Sequence, residues 1–263
     1  MQGVRGKYYI KSAKRVGIGI GVGTFTQSSS KFYISILALA GFKKLLVRDN
    51  KSLEYARKYL SYDKVKVSTD LAFGLYHFFS SLRKDKNSKF KIGVVLRDWV
   101  YDDHKYIDDY LTYFDNQLWA YDISYYAFDK MGDVNYINRV RNKIKIYEPQ
   151  NLEDFLVDFN QNSMIITSRA HGAILGSCLG IPGVCIGIEP KLSTIHEMLS
   201  ESYSLVGTKP NQDLMAIVKN YESNYKKFSQ LAVKEAREHS RILKRDLEEL
   251  REEIFENKAN EIV

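Results

Sequence analysis

Short apolar stretches alternate with longer amphipathic ones along most of the chain, which is the pattern of an α/β fold. In the first third, this pattern predicts strands at residues 16–23, 45–47 and 65–67. Helices are predicted at residues 31–41 and 51–60. Three strands make a short lobe, because a full Rossmann sheet usually has five or six.

The alternation restarts after a lysine-rich, polar stretch at residues 83–89, which is typical of a linker. We predict strands at residues 91–96, 122–128, 143–147, 164–167 and 183–188, and helices at residues 103–120, 133–142, 151–160, 170–179 and 192–200. Asn151 is expected to cap the third of these helices, and Gly180 to end the fourth. We therefore expect a partial N-terminal Rossmann-like lobe at 1–82 and a C-terminal Rossmann-like lobe at 90–210.

The remaining segment, residues 211–263, is predicted to be helical and is highly charged. Leu243, Leu247, Leu250 and Ile254 fall at helical spacing and form one apolar stripe. This stripe fits a terminal helix that packs on its own chain. It also fits a short coiled-coil contact between subunits.

Composition narrows the class of protein. Of the 263 residues, 44% are hydrophobic, yet the chain has neither an apolar run of about 18 residues that could span a membrane nor a secretory signal. Cys178 and Cys185 lie among apolar neighbours, as expected of buried thiols in a reducing compartment. We therefore expect a cytoplasmic protein.

The net charge of +7 favours an anionic partner, although scattered lysines also keep a protein soluble. The candidate partners are a phosphorylated metabolite, a nucleotide, a nucleic acid or an anionic membrane surface. No aromatic and basic RNA-binding motif is present, so we expect no nucleic acid. The five histidines are far apart in sequence and neither cysteine has ligand spacing, so we expect no metal.

The most informative segment is residues 167–172 (TSRAHG), where a predicted strand ends and a helix begins. In open α/β sheets, ligands bind beyond the carboxyl ends of the strands, near helix N-termini that carry partial positive charge. Arg169 could bind a phosphate or carboxylate with two donors, His171 could move a proton, and Gly172 could let a ligand approach the backbone. Alternatively, Arg169 pairs with a local acid and His171 is a buried imidazole.

Two further cations follow neighbouring predicted strands. Lys191 begins a helix after the strand at 183–188, and Arg97 follows the strand at 91–96. Because parallel strands end at one edge of a sheet, these cations and Arg169 predict an anion site. Alternatively, Lys191 is a solvated helix start, and Arg97 pairs with Asp98 or another acid.

In the first lobe, glycines alternate with apolar residues from Gly17 to Gly23. This is a weak signal for a phosphate-binding loop, because a strand packed closely beneath helices explains it equally well. Downstream, Asp49 and Ser52 are predicted to cap a helix.

Taken in order, these motifs resemble one family. The chain contains Gly17-x-Gly19-x-Gly21, Val47-Arg48-Asp49-x-x-Ser52, Asp70-Leu71-Ala72-Phe73, Arg97 after a strand, Ser168-Arg169-x-His171-Gly172, Gly180-Ile181-Pro182 and Pro190-Lys191. Their order and spacing resemble the polysaccharide pyruvyl transferase family over roughly residues 15–200. The resemblance implies a fold similar to GT-B glycosyltransferases, with two Rossmann-like lobes around a cleft. It also implies transfer of a pyruvyl group from phosphoenolpyruvate to a sugar, which forms a cyclic ketal and releases phosphate.

The resemblance also implies roles for individual residues. His171 and Arg169 would be catalytic, with His171 as the general acid/base. Arg169 and Lys191 would hold the phosphate, and Arg97 the carboxylate. Ser168, Gly172 and Gly21 would contribute to substrate binding. Phosphoenolpyruvate would be the donor substrate, and no further cofactor is expected.

Family members usually begin with a strand and a Gly-rich turn before the segment that matches residues 16–23. We therefore expect an abbreviated first lobe. The acceptor would be a glycan of the bacterial surface or its lipid-linked precursor, reached at the inner face of the cell membrane, and a homo-oligomer is possible. Two alternatives stay open: a GT-B glycosyltransferase that uses a nucleotide sugar, and a truncated, non-catalytic member that binds a partner through its C-terminal helix.

Overall fold

The computed structural model describes residues 15–22, 42–58, 60–83, 89–99, 105–148 and 151–259. The helix predicted at 31–41, Gly23 and most of the predicted linker lie outside these ranges. The chain divides into two compact units, residues 1–74 with 239–263 and residues 75–238. The predicted domains end elsewhere: 75–82 and 211–238 group with the second unit, and 239–263 with the first.

The first unit contains a three-stranded parallel sheet in the order β1 (Arg15–Ile20), β2 (Phe42–Val47) and β3 (Val65–Val67), as far as the described residues show. Helix α1 (Asn50–Arg57) follows β2. As predicted, Asp49 caps this helix, because its Oδ1 accepts a hydrogen bond from the Ser52 amide at 2.6 Å. The Ser52 hydroxyl has another role, since it accepts from the amide of Val22 at 2.8 Å.

The second unit is built on a six-stranded parallel sheet. Its strands are β4 (Lys91–Val95), β5 (Asp122–Ala127), β6 (Ile144–Ile146), β7 (Met164–Thr167), β8 (Gly183–Ile186) and β9 (Tyr203–Val206). They lie in the order β6-β5-β4-β7-β8-β9. Counted from β4, this is the order 3-2-1-4-5-6 of Rossmann sheets, which reverses direction between β4 and β7.

Helices follow the strands of this sheet. They are α2 (Tyr76–Ser80), which precedes β4, then α3 (Lys105–Gln117), α4 (Val134–Val140), α5 (Leu152–Phe159), α6 (Ala170–Cys178), α7 (Pro190–Met198) and α8 (Gln212–Ser223). Every residue of β7 and β8 is buried, as expected for central parallel strands that are covered on both faces. Aromatic side chains of α3, such as Tyr110 and Phe114, complete the core, and each fully buried side chain of this size stabilises the fold by roughly 1.5–3 kcal/mol.

The sequence pattern located each predicted element that the structure describes, with end points that differ by a few residues. It missed the short helix α2 and the edge strand β9. Asn151 does occupy the position before α5, but its side chain makes no capping hydrogen bond, so that prediction of a cap was wrong. The two cysteines are buried free thiols, and burial raises the pKa of each to about 12.

The last helix, α9 (Tyr225–Ala259), is shared between the units. Leu243 and Leu250 are buried and Leu247 is half-buried, which confirms that the apolar stripe packs on the same chain. The side chain of Ile254 lies outside the described part, and the coiled-coil alternative stays a prediction. None of the described helices has the length and apolar character needed to cross a membrane.

Candidate active site

The candidate site lies where the strand order of the second unit reverses, at the carboxyl ends of β4 and β7. Arg97 and Ser168 follow these two strands. The Ser168 amide donates to the carbonyl oxygen of Val95 at 2.9 Å, and the Ser168 hydroxyl accepts from the Arg97 amide at 2.8 Å. Two adjacent strand ends are thereby fixed to each other at the place where Rossmann sheets open a ligand crevice.

This arrangement gives Ser168 a different role from the predicted one. Its side chain is fully buried, and its hydroxyl is engaged by the Arg97 amide and by the Tyr106 hydroxyl at 3.2 Å. The Tyr106 hydroxyl also donates to the Arg97 carbonyl oxygen, and burial raises the pKa of Tyr106. Ser168 therefore holds the loop that carries Arg97, and direct contact with substrate stays a prediction.

Arg169 is the last residue before α6 and has an extended backbone. The buried Thr167 fixes that backbone, because its hydroxyl accepts from the Arg169 amide and donates to the Arg169 carbonyl, both at 2.9 Å. The guanidinium Nη2 lies 2.5 Å from Oδ1 of Asp133, a side chain without solvent exposure. The alternative that Arg169 pairs with a local acid is thus correct for one of its nitrogens. Its Nε is buried and has no hydrogen-bond partner among the described residues.

Arg97 pairs with an acid from a third strand end. Its Nη1 lies 3.1 Å from Oε1 of Glu189, which follows β8, and its guanidinium stacks 5.0 Å from the centre of the Trp99 ring. Asp98 is not its partner, since the Asp98 carboxylate accepts from the amides of Asn135 and Tyr136 at the start of α4. The ends of β4, β7 and β8 therefore meet at one edge, as the sequence predicted.

His171 and Lys191 occupy the first turns of two adjacent helices, α6 and α7, at the same edge. His171 is exposed, so the alternative of a buried imidazole was wrong. Lys191 is half-buried and follows Pro190 at the start of α7. Both helix N-termini present partial positive charge where Arg97 and Arg169 lie, so the edge suits an anionic ligand.

Comparison with known proteins identifies this set of residues. The sequence model of the family described as polysaccharide pyruvyl transferase matches residues 5–190, which is more than half of the chain. The chain belongs to the polysaccharide pyruvyl transferase family. A search of curated proteins gave no match.

Solved structures agree with the GT-B-like fold. The Anabaena protein HepE in complex with UDP and glucose has a TM-score of 0.60 at 12% identity and covers 90% of this chain and 71% of its own. UDP-GlcNAc 2-epimerase from Neisseria meningitidis bound to UDP-GlcNAc has a TM-score of 0.59 at 11% identity, with 90% and 69% covered. A glycosyltransferase from Rickettsia africae has a TM-score of 0.58 at 18% identity, with 89% and 69% covered. At these identities the likeness shows the fold alone.

In this pyruvyl transferase family member, Gly172 has a structural reason that the sequence did not suggest. It is buried, and a Cβ atom there would lie 2.4 Å from Oγ1 of Thr167. Its amide donates to the Arg169 carbonyl at 2.9 Å. The absence of a side chain therefore lets the start of α6 approach the end of β7, and the predicted approach of a ligand from that side is wrong.

Gly21 belongs to the first unit. It is exposed, and a Cβ atom there would lie 2.5 Å from the guanidinium of Arg48. Gly19 has a φ of 65°, in the left-handed region, and its Cα lies close to the backbone of Leu71. Close packing thus explains these glycines, which favours the strand alternative over a phosphate-binding loop, and substrate binding by Gly21 stays a prediction.

Several residues of the site were missed or misassigned from sequence. They are Asp98, Trp99, Tyr106, Asp133 and Glu189. The available signal was positional: Asp133 follows β5 as Arg97 follows β4, so both reach the same sheet edge. No three His, Cys, Asp or Glu side chains in the described ranges come together as a metal site, and we assign no metal-binding residues.

Proposed function

We propose that the chain transfers a pyruvyl group from phosphoenolpyruvate to a sugar of a bacterial surface polysaccharide, with formation of a ketal. One observation carries this proposal. Arg97 and Arg169 lie at adjacent strand ends, and each is held by one carboxylate, from Glu189 and Asp133. Guanidinium groups have five N–H donors, so a single ion pair leaves each arginine able to bind a further anion.

Phosphoenolpyruvate carries two anionic groups on adjacent atoms, which suits two fixed arginines. We assign the phosphate to Arg169 and to Lys191, which are placed at the starts of α6 and α7. We assign the carboxylate to Arg97, whose side chain is 36% exposed. These cations would stabilise the charge that develops as phosphate departs.

The reaction requires proton transfers near these charges. The methylene carbon of the enol accepts one proton, and the adjacent carbon then accepts a sugar hydroxyl oxygen, which loses its proton. The bond to the phosphate oxygen breaks, phosphate leaves, and a second hydroxyl adds with loss of its proton to close the ketal. His171 is exposed beside Arg169, and imidazole transfers protons near neutral pH, so we assign it the general acid/base role.

The test is release of phosphate from phosphoenolpyruvate in the presence of a panel of sugar acceptors. We expect release that depends on the acceptor, and we expect Arg169→Ala and His171→Ala to reduce it at least about 100-fold. Arg139→Ala is the matched control, because Arg139 belongs to the same unit and its exposed side chain pairs with Asp108 away from the site. Activity that survives in both site variants would contradict the site assignment.

Binding separates the competing functions. We expect phosphoenolpyruvate to raise the melting temperature of the full chain more than UDP does, because the arginines would bind both of its anionic groups. Stabilisation by UDP alone would support a nucleotide-sugar glycosyltransferase. Binding of neither ligand, together with no turnover, would support a non-catalytic member of the family.

A further inference from the structure

The Asp133 carboxylate needs an explanation that the fold does not supply. Asp133 occupies the position before α4, yet its side chain makes no capping hydrogen bond. Asp98 caps that helix instead, through the amides of Asn135 at 2.9 Å and Tyr136 at 3.2 Å. Asp133 is fully buried, and a buried carboxylate without a capping role is costly for a fold.

The contacts of Asp133 converge on one oxygen. Its Oδ1 accepts from Nη2 of Arg169 at 2.5 Å and from the Asp98 amide at 3.1 Å. Its Oδ2 is buried and has no hydrogen-bond partner within the described ranges, and the same is true of Nε of Arg169. The pair is therefore joined through a single bond, although a two-bond pairing is the more stable geometry for these groups.

This geometry orients the guanidinium. Nε and Nη2 form one edge of the planar group. Nη2 is bonded to Asp133 and Nε is buried, so this edge faces the protein. Nη1 forms no hydrogen bond or ion pair with the described residues, and the Arg169 side chain keeps 18% of its exposure. The donors of Nη1 are thus left for a ligand.

We propose that Asp133 is a positioning residue, which turns Arg169 so that its outer nitrogen binds the anion of the substrate. This inference rests on the proposed function for the identity of that substrate, phosphoenolpyruvate, but its binding step requires only an anion. Asp98 supports the arrangement, since its amide bonds to Asp133 while its carboxylate anchors the start of α4. A contact between β4 and α4 is thereby linked to the orientation of an arginine on β7.

The charges around Asp133 are consistent with this role. Burial raises its pKa, against the lowering effect of Arg169, and the negative charge of Asp98 raises it further. The other titratable groups that interact with its charge are the buried hydroxyls of Tyr106 and Tyr136. Arg169 is thus the cation that offsets the buried charge.

The experiment measures the affinity of the full chain for phosphoenolpyruvate and, separately, for inorganic phosphate. We expect Asp133→Ala to weaken both affinities about ten- to a hundredfold, the usual range for residues that orient a binding group. Asp133→Asn should recover part of the loss, because an amide oxygen can still accept from Nη2 and from the Asp98 amide. In an Arg169→Ala background, Asp133→Ala should have no further effect, since there is no guanidinium to orient.

Asp129→Asn is the matched control, because Asp129 lies in the same loop and its Oδ1 accepts only from the amides of Met131 and Gly132 among the described contacts. It should leave both affinities unchanged. Equal losses for Asp133→Ala with and without Arg169 would overturn the inference, as would wild-type affinity in Asp133→Ala. If wild type binds phosphate but turns over no phosphoenolpyruvate, the proposed function fails while the phosphate measurements still decide the role of Asp133. If wild type binds neither anion, the inference fails as well.

Discussion

Arg48 in the first unit and Arg169 in the second occupy comparable places, because each follows a parallel strand and precedes a helix. Their surroundings differ. Arg48 bonds to two carboxylates, Asp49 at 3.2 Å and Asp70 at 3.3 Å, and lies against Gly21. Arg169 bonds to one, Asp133.

The difference separates a structural arginine from a candidate binding arginine. Two carboxylates offset the charge of Arg48 and occupy nitrogens at both ends of its guanidinium, Nε and Nη1. The single bond of Arg169 fixes its orientation and leaves donors over. Position at a strand end is therefore insufficient to predict an anion site, and the number of acids around each arginine is the more informative quantity.

The strongest test exchanges each arginine for lysine. Arg169→Lys should lower kcat/KM at least about 100-fold, because an ammonium cannot keep both the bond to Asp133 and a directed contact to the anion. Arg48→Lys should mainly lower the melting temperature and leave kcat/KM within a few-fold. The measurement is steady-state phosphate release together with thermal unfolding of both variants. Equal loss of activity in the two would erase the distinction.

A second test compares two glycines. Gly172→Ala should destabilise the protein by roughly 1–3 kcal/mol, because the new methyl group would overlap the buried Thr167 side chain at a packed strand-to-helix turn. Gly21→Ala meets the end of the flexible Arg48 side chain, so its cost should be smaller. Chemical denaturation measures both. A larger loss for Gly21→Ala would mean that Arg48 is as firmly fixed as Thr167.

A third test uses two buried carboxylates with opposite pKa shifts. At Asp246, burial acts to raise the pKa, but hydrogen bonds from Lys66, Ser68 and Arg245 outweigh it and the pKa is lowered. Its stabilising contribution should be present above its unfolded pKa of about 4 and be lost as the pH falls through its lower folded value. Asp246→Asn should therefore cost about 1–2 kcal/mol at pH 7 and less below pH ~4.

Asp133 should give the opposite slope. Because burial raises its folded pKa above the unfolded value, the folded state holds the proton more tightly. Wild type should thus gain stability relative to Asp133→Asn as the pH falls from its raised folded pKa towards about 4. Unfolding free energies measured against pH for both variants check the two signs. Slopes of the same sign would show that Arg169 offsets the Asp133 charge as fully as its partners offset that of Asp246.

The smallest expected effect concerns the partner of Arg97. Glu189→Gln removes a charge from a partly exposed ion pair, and such pairs contribute roughly 0.2–1 kcal/mol. We expect the KM for phosphoenolpyruvate to change by less than about fivefold, with kcat unchanged. A change as large as that of Arg169→Lys would place Glu189 beside Asp133 as a residue that orients an arginine.

The sequence predicted the sheet of the second unit well because its signals are local. Buried parallel strands are continuous apolar runs, and Gly180-Ile181-Pro182 marks the end of a helix. Strand β9 was missed because Tyr203 and Ser204 interrupt such a run at the edge of the sheet.

The arginines of the candidate site could be predicted from their places after strands, but their partners could not. Asp133 is 36 residues from Arg169, and Glu189 is 92 residues from Arg97. Which acid meets which arginine depends on the strand order and on loop conformation. For the same reason Gly172 and Ser168 were assigned to the ligand, whereas their nearest contacts are Thr167 and the Arg97 amide.

The shared helix α9 has a consequence for the order of folding during synthesis. The sheet near the start of the chain is joined to the far end of this helix, through Lys66 with Asp246 and Lys44 with Glu253. Domains generally fold as they emerge from the ribosome. The second unit can therefore close once residue 238 is available, whereas the first must wait across some 180 intervening residues for its last contacts. The unit that carries the candidate arginines is thus expected to fold first, although it is encoded second.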